Sequence, residues 1–403
     1  MNMSTVKVLL KMNKLNDKGS APLYLRIIKD RKAKFISLGL LLKPSEWNEE
    51  TGKVRKSHPN SARMNAMIAQ RVADAEGVSV EMETKSKTIS SYKIKEKILG
   101  LAPVDFFPFA EKHMKNLEKE GNIGTYLIYK SVIEKIKKYC KNKPLYFDDI
   151  TVSFLQAYEG HLKSEYHNKQ NTIHNNLKII RKLINDAIRL DILTRNDNPF
   201  YKFQMKLEKT TREYLTEDEL KSLENLDLQE KSKIRLYRDM YVFAVYAGGL
   251  RISDLLLLKW SHFDGERVQI QMRKTKSMVT VKLPNKALEI LFFYRKVDNT
   301  PEHYVFPILS HLEDYSDPKV LHYKLTTTTS GIDNKLKEIG KKAGIQKSFS
   351  FHTSRHTFAT WALRKGIRIE YVSKLLGHSS ISETQIYAKI VNEELDKAME
   401  VFN

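Results

Sequence analysis

The spacing of apolar residues changes twice along the chain. In "APLYLRIIKDRKAKFISLGLLLKPSEWN", Leu23, Leu25 and Ile27 alternate with Tyr24 and Arg26, and after "KDRK" a second run surrounds Phe35, Ile36 and Leu38. A period of two marks half-buried strands, so this stretch predicts a basic β-hairpin. A two-stranded ribbon fits the major groove of duplex DNA, and an ordinary small sheet accounts for the alternation equally well. A helix is expected from about Ser61 to Gln70, after which the polar run "SVEMETKSKTISS" reads as an inter-domain linker.

From about residue 104 to 200 the period becomes helical. Phe109, His113 and Leu117, then Tyr126, Ile133, Ile136 and Tyr139, then Phe154, Leu155, Tyr158 and Leu162, then Ile173, Leu177, Ile180, Leu183 and Ile184 recur every three to four positions. Four helices follow, with "NKPLYFDDIT" and "SEYHNKQN" as breaks. The fourth, "NTIHNNLKIIRKLINDAIRL", sets Asn, His, Lys and Arg opposite its apolar stripe, a face able to donate to phosphates and base edges or simply to be solvated. The Lys-rich segment Tyr201 to Glu213 reads as an extended linker, reaching about 40 Å at ~3.3 Å per residue. Thr216 with Glu219 forms a capping-box pattern that starts a new helix and a third region, 214–403.

Composition narrows the function. A chain of 403 residues is long enough for about three domains. With 69 Lys and Arg against 48 Asp and Glu, the formal charge is +21, which points to a polyanionic partner, nucleic acid first and an anionic membrane surface second. The membrane reading weakens because no apolar run approaches the ~20 residues of a spanning helix and the basic residues are spread throughout. The first residues are too interrupted by lysine for a secretory signal, so a cytosolic protein is expected. The single cysteine, Cys140, excludes an intramolecular disulfide and a cysteine-based zinc cluster, and reads as a small helix-face hydrophobe.

Candidate chemistry gathers in the third region. "YAGGLRISDLLLLKW" carries Arg251 after a glycine pair and Asp254 three positions on, the same side of a helix. "VQIQMRKTKSMVTVKLP" alternates as a hairpin with Lys274 and Lys276 in its turn. "SFHTSRHTFATWAL" carries His352, Arg355 and His356, and "LLGHSSISETQIYAK" carries His378 and, nine positions later, Tyr387. Taken singly, each has an ordinary structural reading: a helix-start ion pair, a basic turn, a core histidine.

Taken together they resemble the tyrosine recombinase (phage integrase) family. The family order is an arginine in G-L-R-x-S-[ED]-L, a hairpin lysine, H-x-x-R-H, L-G-H, and a tyrosine nine residues after that histidine. Each occurs here in order: Gly249 to Leu255, Lys274, His352 to His356, Leu376-Gly377-His378, and Tyr387. Asp254 stands for the commoner glutamate and Ser354 for the usual apolar residue; neither removes a group the chemistry needs. The resemblance implies a multidomain chain: a β-rich arm-type DNA-binding-like domain over 1–90, as in integrases of Bacteroides-type mobile elements; an all-α, SAM-like core-binding domain over 104–200; a linker over 201–213; and a mainly α, mixed α+β catalytic domain over 214–403 ending in a tail helix.

Physical chemistry agrees with those residue types. A phosphodiester is anionic and gains charge as a phenolate attacks, so two arginines, Arg251 and Arg355, are suited to grip its non-bridging oxygens. By resemblance Tyr387 is the nucleophile, His352 the acceptor of its proton, His378 a donor to a phosphoryl oxygen, and Lys274, with Lys276 as the alternative, the acid for the leaving 5′ oxygen. Asp254 would orient the arginine or His352, and His356 would pack behind them. A 3′-phosphotyrosyl intermediate conserves bond energy, so neither metal nor ATP is expected, and the sequence has no Walker A stretch.

The expected partner is double-stranded DNA, bound as a homotetramer through the tail face of Ile390, Val391, Leu395, Ala398, Met399 and Phe402, with room for accessory DNA-bending proteins, in a bacterial cytoplasm at the nucleoid. Integration or excision of a mobile element is the leading outcome. A DNA invertase or resolving recombinase shares the chemistry, and a non-catalytic DNA-binding protein of the same fold is the reading from another class.

Overall fold

The alternating run around Leu23 supplies two strands of a three-stranded sheet. In the computed structural model, which describes residues 3–29, 32–85, 91–100, 104–193, 195–208, 210, 212–388 and 399, β1 (Thr5–Leu10), β2 (Ala21–Lys29) and β3 (Lys32–Leu42) are antiparallel with β2 central. The register sets Lys7 opposite Arg26 and Arg26 opposite Phe35 on one face. On the other face Leu23, Leu25 and Ile27 are fully buried with Ile68, Ala75 and Ile94, which come from α1 (Ser61–Lys85) and α2 (Ser91–Ile98). The expected hairpin is present as β2–β3, and β1 extends it to a sheet with one covered face. The open face keeps a basic and aromatic character: the Lys11 ammonium lies 4.2 Å from the Phe35 ring centroid and 5.1 Å from that of Tyr24. Two short strands, β4 (Trp47–Asn48) and β5 (Lys53–Val54), close this region.

Helix α1 runs 25 residues, through most of the polar stretch read as a linker. Its buried stripe is narrow, with Ile68, Ala75 and Ser79 as its most buried members, and the rest of its surface is polar, so its pattern resembles loop composition. The same stretch supplies Glu83, whose carboxylate accepts from Lys29 Nζ at 2.6 Å.

Four helices occupy the second region as expected: α3 (Phe106–Lys119), α4 (Ile123–Tyr139), α5 (Val152–Ser164) and α6 (Gln170–Arg189). The stripe of α6 buries Ile173, Leu177, Ile180, Leu183 and Ile184. Its polar face is partly committed to the chain itself. The Asn171 side chain donates to the Glu208 carbonyl and accepts from the Glu208 N–H, both at 2.9 Å, and His174 Nδ1 lies 3.1 Å from the Lys206 carbonyl. Asn171 and His174 therefore hold Lys206 and Glu208 of the segment read as a linker.

The chain divides into two units, residues 1–116 with 127–208, and 117–126 with 209–403. The second is built on α7 (Glu217–Glu224), α8 (Lys233–Tyr246), α9 (Ile252–Leu256), the hairpin β6 (Arg267–Gln271) and β7 (Met278–Lys282), α10 (Asn285–Phe293), α11 (Pro318–Lys342), α12 (Phe351–Arg364) and α13 (Ile369–Leu376). Thr216 and Glu219 form the predicted capping box at α7. Helix α8 buries every residue from Met240 to Val245, so it is the central post of a core that also takes in Val268, Phe306, Leu336 and Phe351. Tail residues 389–398 and 400–403 lie outside the described residues, and with them the tail face apart from Met399.

Candidate active site

Two glycines explain how widely separated motifs meet. Gly249, at φ 71°, ends the turn before Arg251; a Cβ there would come within 3.0 Å of Leu376 Cδ2 and 3.3 Å of Arg355 Cα. Gly377 caps α13 in the left-handed region, at φ 61°, and a Cβ would meet the hairpin at Val279 Cγ2, 3.0 Å away. Only glycine satisfies both the backbone sign and the close approach. Arg355, 2% exposed, then ties the two turns together: its guanidinium donates to the Gly249 carbonyl at 3.0 Å and to the Leu376 carbonyl. Burial and the neighbouring Arg251 charge lower its pKa to about 10, which leaves it a cation at neutral pH.

Arg251 is the N-cap of α9, and its Nη1 is buried without a hydrogen-bond partner. With Ser253, Lys274, His352, Ser354 and Arg355 it lines a cleft of about 250 Å³. A buried, unpaired guanidinium N–H facing a cationic cleft is a donor awaiting an anion. Lys274 lines this cleft and Lys276 does not. Lys276 takes the left-handed turn position at φ 58°, donates its N–H to Met272, and accepts from Gln271 through its carbonyl. A larger cleft of about 820 Å³, around Phe293, Tyr304 and His311, takes in none of the candidate residues.

Asp254, expected to orient the arginine or His352, feels the Arg251 charge and also bonds to the hairpin. Its Oδ1 accepts the Arg273 backbone N–H at 2.9 Å, so this 1%-exposed carboxylate holds the turn that carries Lys274. Burial raises its pKa against the pull of the Arg273 N–H and of Arg251. Asp254→Ala is expected to cost about 1–3 kcal/mol in stability by orphaning that N–H. It should also slow cleavage by loosening Lys274, while Asp254→Asn keeps an acceptor oxygen and retains most of both. Denaturant unfolding together with single-turnover cleavage checks this, and equal losses in the two variants would refute the hairpin role.

The histidines divide their contacts in a way the motifs do not reveal. His352 is exposed at the cleft, its pKa lowered by desolvation and by Arg355, Arg212 and Arg251. His356, expected merely to pack, lies with Nδ1 2.7 Å from the Tyr387 hydroxyl. Tyr387 is 5% exposed and lines the cleft not at all; burial raises its pKa, while Arg355, Arg212 and Arg251 pull it down. The phenol is thus held neutral against His356 instead of His352. His378 Nδ1 meets the Thr384 hydroxyl at 2.8 Å, which leaves its Nε2 for another partner.

Burial lowers His356 to about 3 and His378 to about 4. A base whose folded pKa is depressed is protonated first in the unfolded chain. Its stabilisation is therefore full above the unfolded value of ~6.5 and is lost as pH falls toward the folded one. We expect His356 alone to remove about 1–2 kcal/mol of stability between pH 7.5 and 5. Urea unfolding across that range checks this, because His356→Asn should flatten the slope.

Among the described residues no group of three or more His, Cys, Asp or Glu is arranged to hold a metal ion, and no helix is long and apolar enough to cross a membrane.

Comparison with known proteins agrees with this geometry. Residues 213–394 match the phage integrase family, 105–205 the phage integrase SAM-like domain, and 8–95 an arm DNA-binding domain. The stretch from 213 to 394 is similar to the phage integrase family, and the chain is similar to proteins named tyrosine recombinases. Particular relatives are tyrosine recombinase XerA of Pyrococcus furiosus, 34% identical over 202 residues, and tyrosine recombinase XerD of Oceanobacillus iheyensis, 26% identical over 310. The first match covers 49% of this chain and 64% of the relative, the second 74% and 96%. The chain thus spans just under two thirds of the first relative's length. The fold is shared with a lambda integrase dimer bound to a COC′ core site, at 17% identity and TM-score 0.53 over 94% of this chain and 93% of that one. It is shared too with the Tn1549 transposon integrase in complex with a circular intermediate DNA, at 18% identity and TM-score 0.51 over 70% and 94%.

Proposed function

We propose that this protein is a site-specific DNA recombinase that cuts and rejoins strands through a 3′-phosphotyrosyl intermediate, integrating or excising a mobile element. The observation that carries the reading is the convergence of Arg251, Lys274, His352 and Arg355 on one cleft, with the Tyr387 hydroxyl held just behind it on His356. Arg251 and Arg355 bind the non-bridging oxygens of the scissile phosphate and neutralise the charge that develops there. His378 adds a donor through Nε2. Tyr387 leaves its bond to His356, passes its proton to His352, and forms a bond from its oxygen to phosphorus. The bond to the 5′ oxygen breaks and Lys274 protonates that leaving group. A 5′-hydroxyl of another strand then reverses the steps, so the chemistry balances with no external acid, nucleotide or metal.

The open face of the β1–β3 sheet, with Lys7, Arg26, Tyr24 and Phe35, suits a second DNA contact. That supports an arm-binding role for residues 1–90, of the kind found in integrases of Bacteroides-type elements, alongside a core-binding domain at 104–200, a linker at 201–213 and a catalytic domain at 214–403. Duplex DNA is the partner on this reading, engaged by a homotetramer joined through the tail, in the bacterial cytoplasm at the nucleoid. The lambda and Tn1549 integrases, whose solved complexes contain DNA, lend the integrase outcome more weight than inversion or resolution.

The test is covalent capture in EDTA: incubate the protein with a randomised pool of nicked duplexes and isolate adducts that survive denaturation. Recovery of one enriched sequence supports the proposal. A protein that retains duplexes but yields no adduct would instead be a DNA-binding protein on a recombinase fold.

A further inference from the structure

Arg212 lies in the segment read as linker, and no motif marks it. Its position in the fold is unusual for a linker cation. Two residues on, the Tyr214 carbonyl accepts from Lys347 Nζ at 3.2 Å. Next, the buried Leu215 N–H donates to the Thr357 hydroxyl at 2.9 Å. Thr357 adjoins His356 on α12, the helix that also bears His352 and Arg355. Three residues of chain extend at most about 10 Å, so the Arg212 backbone lies within that distance of Leu215, the residue bonded to that helix.

The guanidinium is exposed and, among the described residues, has no hydrogen-bond or ion-pair partner. Its charge acts on Tyr387, His352 and His356 alike, and on Tyr387 and His352 more strongly than that of Arg251, which itself lines the cleft. Coulombic effects weaken with distance and with solvent between the charges, so the guanidinium lies near these three side chains. Arg251, Arg355 and Lys274 already line the cleft, and a further cation acting on its histidine and on Tyr387 only adds repulsion unless an anion enters.

We propose that Arg212 is a third arginine of the active site, contacting a phosphate oxygen at or beside the scissile phosphodiester. The proposal rests on the recombinase reading above. Within the catalytic unit, residues 214 and 215 are held by Lys347 and by Thr357 of α12.

The experiment uses the full-length protein and the duplex that wild type captures from the randomised pool. Arg212→Ala, Arg212→Lys and the control Lys202→Ala, an exposed linker lysine, are compared at saturating DNA in single-turnover cleavage. The expected result is cleavage about 30- to 300-fold slower in Arg212→Ala, with affinity changed no more than about threefold. Arg212→Lys recovers part of the loss, since an ammonium keeps charge without the bidentate fork. Lys202→Ala cleaves as wild type.

Substituting a neutral methylphosphonate at the scissile position, or one step to either side, should narrow the gap between wild type and Arg212→Ala at the phosphate that Arg212 contacts. Equal cleavage by Arg212→Ala and wild type, or an equal loss in Lys202→Ala, overturns the proposal. A gap that no methylphosphonate narrows overturns it as well. A second readout needs no DNA: with 3-fluorotyrosine at position 387, the ¹⁹F titration should shift to higher pH in Arg212→Ala and return toward wild type in Arg212→Lys. If no duplex is captured at all, the recombinase reading falls and the proposal with it, while an unshifted titration removes Arg212 from the site without touching that reading.

Discussion

Tyr387→Phe is expected to abolish the covalent adduct entirely while leaving DNA affinity within about twofold. The phenol has two jobs. Its oxygen is the only atom of that side chain able to bond to phosphorus, so no residual rate is available, unlike the loss of a charge-stabilising donor, which leaves ~10⁻² to 10⁻³ of the activity. In the resting protein the same oxygen is the partner of His356 Nδ1 at 2.7 Å and is buried. The variant therefore leaves one buried acceptor unpaired and should lose about 1 kcal/mol of stability or slightly more. A fold intact by circular dichroism, retained duplex binding and a blank lane on a denaturing gel form the expected pattern. An adduct in Tyr387→Phe would mean another nucleophile and would sink the assignment.

Much of this site was legible because its chemistry needs particular side chains at short local spacings. Arg251, His352, Arg355 and Lys274 sit on one cleft, as the motif order implied. The glycines were equally readable in kind, since "GGLR" and "LGH" require left-handed turns, but what they make room for was not: Gly249 admits Arg355 and Leu376, residues more than a hundred positions away.

The misses share a cause. Whether His352 or His356 meets Tyr387, and whether Asp254 also meets the Arg273 N–H, depend on side-chain direction across elements, which a linear pattern does not carry. Strand β1 illustrates the opposite kind of miss. "TVKVLL" alternates at its start, with Val6 and Val8 against Thr5 and Lys7, but the alternation is short and breaks at the Leu9-Leu10 pair. The expected helix from Ser61 is present as α1, but its continuation to Lys85 escaped because only a narrow buried stripe distinguishes it from a polar linker.

Arg355 should show the largest coupled effect of any cationic residue in the site. Its guanidinium donates to the Gly249 and Leu376 carbonyls, so it fixes the turn before Arg251 and the turn before His378 as well as facing the cleft. Arg355→Ala strands two buried carbonyls and opens a void between the turns. We expect it to cost about 3–5 kcal/mol in stability and more than 10³-fold in single-turnover cleavage. Arg355→Lys isolates the second effect. An ammonium keeps the charge but lacks the planar fork, so it cannot span two carbonyls and a phosphate oxygen together.

Lysine should therefore recover more of the stability than of the rate. Denaturant midpoints and cleavage at saturating captured duplex, measured on the same preparations, separate the two. If Arg355→Lys cleaves at the wild-type rate, a point charge suffices at this position and bidentate phosphate binding is wrong. If Arg355→Ala is as stable as wild type, the turns hold each other without the guanidinium, and its role is confined to the phosphate.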